Sequence, residues 1–180
     1  VPSLALGTAE VSLLEMVNAY QSIANKGVRH DPRYILRMED KSGKILYEPP
    51  ETNGKKVAEE LHTELITGML QSTASEGTAS ALKSYFGIEG DIAGKTGTTQ
   101  NHSDGWFIGF TPEYTAGIWV GGELPHIAFR TISKGQGAYT ALPVWAYFFI
   151  ELIKNPEFNH LKNETFNLSE EAVDNLNCED

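Results

Sequence analysis

The residues best suited to chemistry lie in one short segment, Lys95-Thr96-Gly97-Thr98-Thr99. Lys95 offers a compact cation that can bind a carboxylate. Gly97 removes a side chain where the backbone of a ligand must approach closely, and Thr96 and Thr98 contribute hydroxyl donors. The segment therefore predicts a binding site for a ligand that carries a carboxylate.

A β-strand is the element that would present this segment, and its period of two divides the side chains between two faces. Lys95, Gly97 and Thr99 point to one face, and the two intervening threonines point to the other. Strand twist is needed for both sets to reach one ligand. Trp106 is a candidate for the rim of the same cleft. The apolar residues after it are expected to fill the core at alternating inward positions: Phe107, Ile108 and Phe110.

Two other interpretations of the segment compete with this one. Lys-Thr-Gly can occur by chance in an exposed strand, and three residues alone do not exclude that. Gly94-Lys95-Thr96 could also end a phosphate-binding loop, but such a loop needs a glycine where this chain has Glu89. A polar loop and an aromatic strand follow, where a phosphate site would need a helix N-terminus. A nucleotide site is therefore disfavoured.

The surrounding sequence predicts an antiparallel sheet packed against helices, an α/β architecture of the α+β type. Residues 12–15 have the form of a capping box, and apolar residues then recur at helical spacing. A second helix is expected over residues 61–77, with Thr78 capping a short third helix. A glycine-rich loop, residues 134–137, precedes the apolar run 141–153, which lacks a polar face and predicts a largely buried helix.

Turn signals predict two hairpins around the candidate strand. The first spans residues 33–48 and turns at Lys41-Ser42-Gly43. The second spans residues 106–120 and turns at Thr111-Pro112-Glu113-Tyr114, with proline at the second position. Residues 92–95 are expected to form a short strand that leads into the candidate site.

Charge and composition narrow the classes of function. The chain has 180 residues and a net charge of −10, which disfavours nucleic acid or an anionic membrane surface as a partner. Residues 155–180 hold seven acidic residues and one lysine, so a solvated, partly disordered tail is expected after a domain at residues 1–154. The longest apolar run is too short to span a bilayer. The single cysteine, Cys178, and five scattered histidines predict neither a disulfide nor a metal site.

Five parts of the chain follow one another in the order found in one protein family. They are Pro2-Ser3-Leu4-Ala5-Leu6-Gly7 through Glu15-Met16 with Ala19-Tyr20 to Ala24-Asn25-Lys26-Gly27, then Glu76-Gly77-Thr78-Ala79, Lys95 to Thr99 with Asp104 to Pro112, Ile118-Trp119-Val120-Gly121, and Pro143-Val144-Trp145. Together they resemble the transpeptidase domain of class A penicillin-binding proteins, which has the serine β-lactamase fold. Lys-Thr-Gly is itself one of the motifs of these enzymes, and five ordered matches are far more specific than that motif alone.

The resemblance implies roles for the candidate residues. Lys95 and the Thr98 N–H would act in catalysis, the latter as an oxyanion donor, and residues 96–99 with Trp106 would bind substrate. The implied partners are peptidoglycan stem peptides and β-lactams, with no cofactor. The implied location is the periplasmic face of the bacterial cytoplasmic membrane, with attachment only through segments outside this chain.

The resemblance also implies a serine nucleophile one helical turn before a lysine, upstream of Pro2. Ser80-Ala81-Leu82-Lys83 has that spacing but lies just before Lys95, and Ser103-Asp104-Gly105 imitates a second family motif on the wrong side of Lys95. Both are interpreted as chance matches. The chain is therefore expected to be the C-terminal half of a D,D-transpeptidase domain, inactive without its upstream half. A D,D-carboxypeptidase, a β-lactamase and a non-catalytic scaffold segment remain alternatives.

Overall fold

Short helices and antiparallel strands make up the computed structural model, which describes residues 7, 9–50, 53–99, 102–124 and 126–177. In chain order they are α1 (Leu13–Ala24), β1 (Val28–Arg29), β2 (Met38–Glu39), β3 (Ile45–Tyr47), β4 (Lys55–Lys56), α2 (Glu60–Ser75), α3 (Ala81–Ser84), β5 (Ala93–Thr98), β6 (Asp104–Phe110), β7 (Thr115–Gly121), α4 (Ile132–Gly135), α5 (Ala141–Lys154), a 3₁₀ helix (Asn159–Asn163) and α6 (Glu170–Leu176). Residues 2–6 of the first family match and Cys178 lie outside the described residues.

The central sheet has three antiparallel strands in the order β5-β6-β7. Two separate two-stranded ribbons, β1 with β4 and β2 with β3, complete the strand pairing in the described part of the chain. Both predicted hairpins are present, although β2 and β3 are shorter than the sequence pattern suggested. The prediction of an antiparallel sheet packed against helices is confirmed.

Helices cover the sheet on both faces. On one face, Phe107 of β6 meets Trp145 of α5 with their ring centroids 5.4 Å apart. On the other face, Phe110 meets Tyr20 of α1 at 6.3 Å. Consecutive residues of β6 are therefore buried, including both Phe107 and Ile108. The expectation of alternating inward positions was wrong, because a strand covered on both faces has no solvent side.

Helix α1 begins as predicted. The Ser12 hydroxyl accepts from the Glu15 N–H, and the Glu15 carboxylate accepts from the Ser12 N–H at 2.7 Å, which completes the capping box. Leu13 and Val17 then lie against β7 at Gly117, where a Cβ would overlap Val17. The glycine thus lets the helix pack closely on the strand.

Helix α5 is buried on its inner face. Trp145 and Phe149 stack there with their ring centroids 5.0 Å apart, and both are almost fully buried. Its outer face exposes Val144, Tyr147 and Phe148, so this helix is less buried than its apolar sequence predicted. In the described part of the chain, every helix is too short or too polar to cross a membrane.

The acidic segment after α5 packs against the rest of the domain. Leu161 of the 3₁₀ helix belongs to the main apolar core, and Ala172 of α6 is also buried. Ser169 donates its hydroxyl to the buried Glu64 carboxylate of α2 at 2.5 Å. The structure thus packs residues that the charge pattern had placed in a solvated tail, because a few apolar residues suffice to anchor a highly charged segment.

Candidate active-site strand

The candidate segment forms the second half of β5, at the edge of the sheet. Its residues pair with β6 in a regular register, in which Lys95 lies opposite Ile108, Gly97 opposite Trp106 and Thr98 opposite Gly105. The other edge of β5 has no strand partner in the described part of the chain. The backbone groups on that free edge are therefore the ones that a ligand could pair with.

The direction of each backbone group follows from two hydrogen bonds. The Thr99 N–H donates to the Asp104 carbonyl at 3.3 Å, towards β6. Since successive residues of a strand point their backbone groups to opposite edges, the Thr98 N–H faces the free edge. Gly94 follows the same alternation, because its carbonyl accepts from the Thr73 hydroxyl of α2. Helix α2 thus covers the edge at Gly94, and Thr98 lies four residues farther along it.

Lys95 carries the positive charge of this edge. Its side chain is exposed, and its ammonium donates to the Thr96 carbonyl at 3.0 Å. Lys95 has no carboxylate within ion-pair distance among the described residues. The ammonium therefore keeps its charge available for an anionic ligand.

Both predicted hydroxyl donors already have partners within the chain. Thr96 pairs with Thr78, with 2.8 Å between the two hydroxyl oxygens. Thr98 accepts from the Gly137 N–H at 3.1 Å, so its own hydroxyl hydrogen stays available to donate. Thr78 was expected to cap the third helix, but Ser80 occupies the N-cap position of α3.

The glycine-rich loop packs directly on the candidate strand. A Cβ at Gly137 would overlap the carbonyl oxygens of Gly97 and Trp106. Only a glycine lets the loop approach closely enough for its N–H to reach Thr98. Sequence reasoning found the loop but missed this role, because a glycine-rich loop does not indicate which strand it contacts.

Residues that follow β5 form hydrogen bonds with its C-terminal end. The Thr99 and Ser103 hydroxyl oxygens are 2.9 Å apart, and Thr99 also accepts from the Asp104 N–H at 3.3 Å. Ser103 therefore helps to fix the end of β5.

Trp106 is half-buried and lies opposite Gly97, on the face of the sheet that Lys95 shares. Its ring meets Trp119 edge to face, with ring centroids 6.4 Å apart. The Trp119 indole N–H in turn donates to the Asp104 carboxylate at 3.0 Å. This chain of contacts holds Trp106 beside the candidate strand without burying it completely.

The second lysine of interest, Lys83, lies in a different place. It lines a groove between α2 and α6, together with Met69, Asp91 and Leu176. The structure therefore brings Lys95, residues 96–99 and Trp106 together and assigns Lys83 to other surroundings. Within a few residues, the strand presents an ammonium, an outward N–H and a hydroxyl, a set of donors suited to an anionic ligand.

Comparison with known proteins gives this strand a context. Residues 2–139 match the family model of the penicillin binding protein transpeptidase domain. The chain is 36% identical over 180 residues to penicillin-binding protein 1A of Aquifex aeolicus, covering 99% of this chain and 23% of that protein. It is 35% identical over 159 residues to penicillin-binding protein 2D of Bacillus subtilis, covering 86% of this chain and 22% of that protein. The chain thus spans about a quarter of the curated relatives it matches.

Solved structures share the fold. Penicillin-binding protein 1A from Haemophilus influenzae superimposes with a TM-score of 0.79 at 24% identity, covering 94% of this chain and 30% of that one. The penicillin-binding protein PonA1 from Mycobacterium tuberculosis gives a TM-score of 0.71 at 24% identity, covering 91% of this chain and 43% of that one. The expected fold is confirmed.

Proposed function

The chain belongs to the penicillin-binding protein transpeptidase family, and from this premise we propose that it forms one wall of the active-site cleft of a peptidoglycan D,D-transpeptidase. In that reaction, a serine attacks the peptide bond between the two D-Ala residues at the end of a stem peptide, which forms an acyl-enzyme ester and expels the terminal D-Ala. An amine of a neighbouring peptide then attacks the ester, so that an amide cross-link forms and the serine hydroxyl is regenerated. The observation that carries the proposal is the free edge of β5. It presents an outward Thr98 N–H beside Lys95, which has no carboxylate counter-ion among the described residues.

Lys95 binds the terminal carboxylate of the stem peptide in this proposal. A compact ammonium suits a single carboxylate, and Lys95 has no competing carboxylate in ion-pair range among the described residues. Gly97 leaves room for the substrate backbone, and Trp106 borders the same face. A β-lactam carries a carboxylate too, so it binds at the same residues.

The Thr98 N–H stabilises the oxyanion that forms when the carbonyl is attacked. A preorganised donor of this kind contributes about 10²–10³ in rate. The hydrogen bond from Gly137 to the Thr98 hydroxyl helps to hold the residue in place. Thr96 and Thr99 complete the substrate-binding strand.

The attacking serine comes from outside this chain in the proposal. Lys83, the partner that Ser80 would need, faces the groove between α2 and α6, with Asp91 among its neighbours there. The active protein therefore combines this chain with an upstream half that carries the serine. It works at the periplasmic face of the cytoplasmic membrane, where stem peptides are cross-linked.

Labelling with a fluorescent penicillin tests this proposal. The chain alone should give no covalent adduct, whereas a protein that joins it to an upstream half with the serine should be labelled. In the joined protein, Lys95→Ala should slow acylation by about 10–100-fold, because an interaction with a charged group is lost. Lys83→Ala is the matched control and should leave the rate unchanged. Labelling of the isolated chain that disappears in Ser80→Ala would contradict the proposal.

A further inference from the structure

Three metal-ligating side chains meet at the end of the central sheet that is remote from Thr98. Glu113 lies in the turn between β6 and β7, whereas Thr98 pairs with Gly105 at the opposite end of β6. His160 belongs to the 3₁₀ helix after α5, and Glu164 follows that helix directly. One ligand atom from each of the three lies within 4.8 Å of the other two.

One imidazole faces two carboxyl groups in this cluster. His160 Nε2 is 2.9 Å from a Glu113 carboxylate oxygen but 4.0 Å from Glu164. A protonated imidazole therefore donates to Glu113, whereas Glu164 lies beyond hydrogen-bond distance of it. The Glu164 Oε2 atom is buried, and no described residue donates a hydrogen bond to it.

The Glu164 side chain is largely buried, and one of its carboxylate oxygens lies within 4.8 Å of a Glu113 carboxylate oxygen. Two carboxylates this close repel each other unless a proton or a cation lies between them. A divalent cation would supply a ligand for the buried oxygen and would also remove the repulsion.

The residues that carry the cluster are held by their neighbours. The Thr111 hydroxyl accepts from the Glu113 N–H at 3.3 Å and fixes the turn. Beside them, Tyr114 and Phe158 meet edge to face, with ring centroids 5.4 Å apart. The buried Leu161 anchors the 3₁₀ helix. The three side chains are therefore already close to one another, so binding an ion costs little additional conformational entropy.

We propose that Glu113, His160 and Glu164 bind one divalent ion of the zinc class. His160 Nε2 and one oxygen from each carboxylate supply three ligands, and water supplies the fourth. Zinc ligands at about 2.0–2.1 Å in a tetrahedron lie about 3.3 Å apart. The exposed side chains of His160 and Glu113 can reach that spacing through small rotations.

The donor set selects among metals. Calcium takes six to eight oxygen ligands and magnesium keeps several waters, so an imidazole suits neither ion. Zinc and its transition-metal neighbours accept imidazole together with carboxylates. Bound there, the ion links the β6–β7 turn to the segment after α5 and stabilises the packing of the C-terminal residues.

Calorimetry and thermal unfolding with zinc chloride test the site. The complete chain should carry Cys178→Ser, so that a thiolate cannot bind the metal. It should bind one zinc, and its Tm should rise by roughly 5–10 °C at zinc one hundredfold above Kd. His160→Gln and Glu164→Gln should each weaken binding at least tenfold, whereas His126→Gln, the control at an exposed histidine outside the cluster, should not. Circular dichroism checks that each variant is folded.

Three results would overturn the proposal: no zinc binding, binding that survives both His160→Gln and Glu164→Gln, or an equal response to calcium chloride. Cobalt(II) adds a second readout, since a tetrahedral site gives intense visible absorption that His160→Gln should abolish. This cluster lies apart from Lys95, and Lys95→Ala should leave zinc binding unchanged. The metal site and the proposed transpeptidase function can therefore fail independently.

Discussion

The two hairpins of this chain have similar turn signals and opposite surroundings. The β6–β7 hairpin lies between α1 and α5, and its Phe107 and Phe110 are fully buried. The β2–β3 hairpin exposes all of its apolar side chains, including Leu46 at 63%. Only the first pairs with the candidate active-site strand, β5. Local turn signals therefore suffice to specify a hairpin, whereas its burial depends on the helices that cover it.

The largest expected difference between the hairpins is in core packing. Phe107→Ala should lower the free energy of unfolding by about 3–5 kcal/mol, because it leaves a cavity against Trp145. Leu46→Ala in the other hairpin should change it by about 0.5 kcal/mol or less. Urea denaturation of both variants measures the difference. A loss above about 2 kcal/mol for Leu46→Ala would mean that the β2–β3 hairpin is covered in solution.

A smaller difference in the free energy of unfolding should come from substituting two glycines, Gly137 beside the β6–β7 hairpin and Gly43 in the β2–β3 turn. Gly137→Ala should cost about 1–3 kcal/mol, because its Cβ overlaps the Gly97 and Trp106 carbonyls. Gly43→Ala has open space and a φ of +82°, so it should cost about 1 kcal/mol through backbone strain alone.

Asparagine separates these two mechanisms. Because asparagine tolerates the left-handed conformation, Gly43→Asn should recover most of the stability that Gly43→Ala loses. Gly137→Asn should be at least as harmful as Gly137→Ala, since its side chain is larger. Equal recovery at both positions, again measured by urea denaturation, would exclude a steric role for Gly137.

The smallest difference between the two hairpins should be in how acid pH affects their local stability. Hydrogen bonds from the Ser12 N–H and hydroxyl lower the pKa of Glu15 at the start of α1, and hydrogen bonds from Ser42 and Lys44 lower the pKa of Asp40 in the β2–β3 turn. Each carboxylate therefore stabilises the fold above its unfolded pKa, and this contribution is lost as the pH falls through the lower folded pKa.

Amide hydrogen exchange between about pH 6 and about pH 3 can resolve both effects. Acid should loosen the first turn of α1, which packs on the β6–β7 hairpin, whereas protonation of Asp40 should loosen only its own turn. After correction for the intrinsic pH dependence of exchange, Glu15→Gln should make the α1 turn insensitive to pH, and Asp40→Asn should do so for residues 40–44. An α1 response that persists in Glu15→Gln would assign the effect to another carboxyl group.

Local patterns predicted the elements of this fold well. The capping box at Ser12, the turn at residues 111–114 and the strand leading to Lys95 are where the sequence puts them. Each depends on residues within a few positions of one another, so the chemistry is visible in the sequence. The alternation of β6 was mispredicted, because burial on both faces depends on helices that lie far away along the chain.

Contacts between distant residues explain what the sequence missed. Gly137 reaches Thr98 across 39 positions, and Glu113 meets His160 across 47. Neither spacing repeats or forms a motif. A search of the sequence for metal-ligand spacing could therefore not find Glu113 and His160. The packing of Leu161 and Ala172 is invisible for the same reason, since the charge of their neighbours dominates the local pattern.

The sequence alone determined the chemical inventory of this protein: a Lys-Thr-Gly strand, the elements around it and the family to which their order belongs. The tertiary structure decided which groups act together. It directs the Thr98 N–H to the free edge of β5 and packs Gly137 against the carbonyl oxygens of Gly97 and Trp106. It also brings two carboxylates and an imidazole together at the far end of the sheet. Residue types and short spacings are local properties, whereas the direction of a group and its neighbours exist only once distant segments pack together.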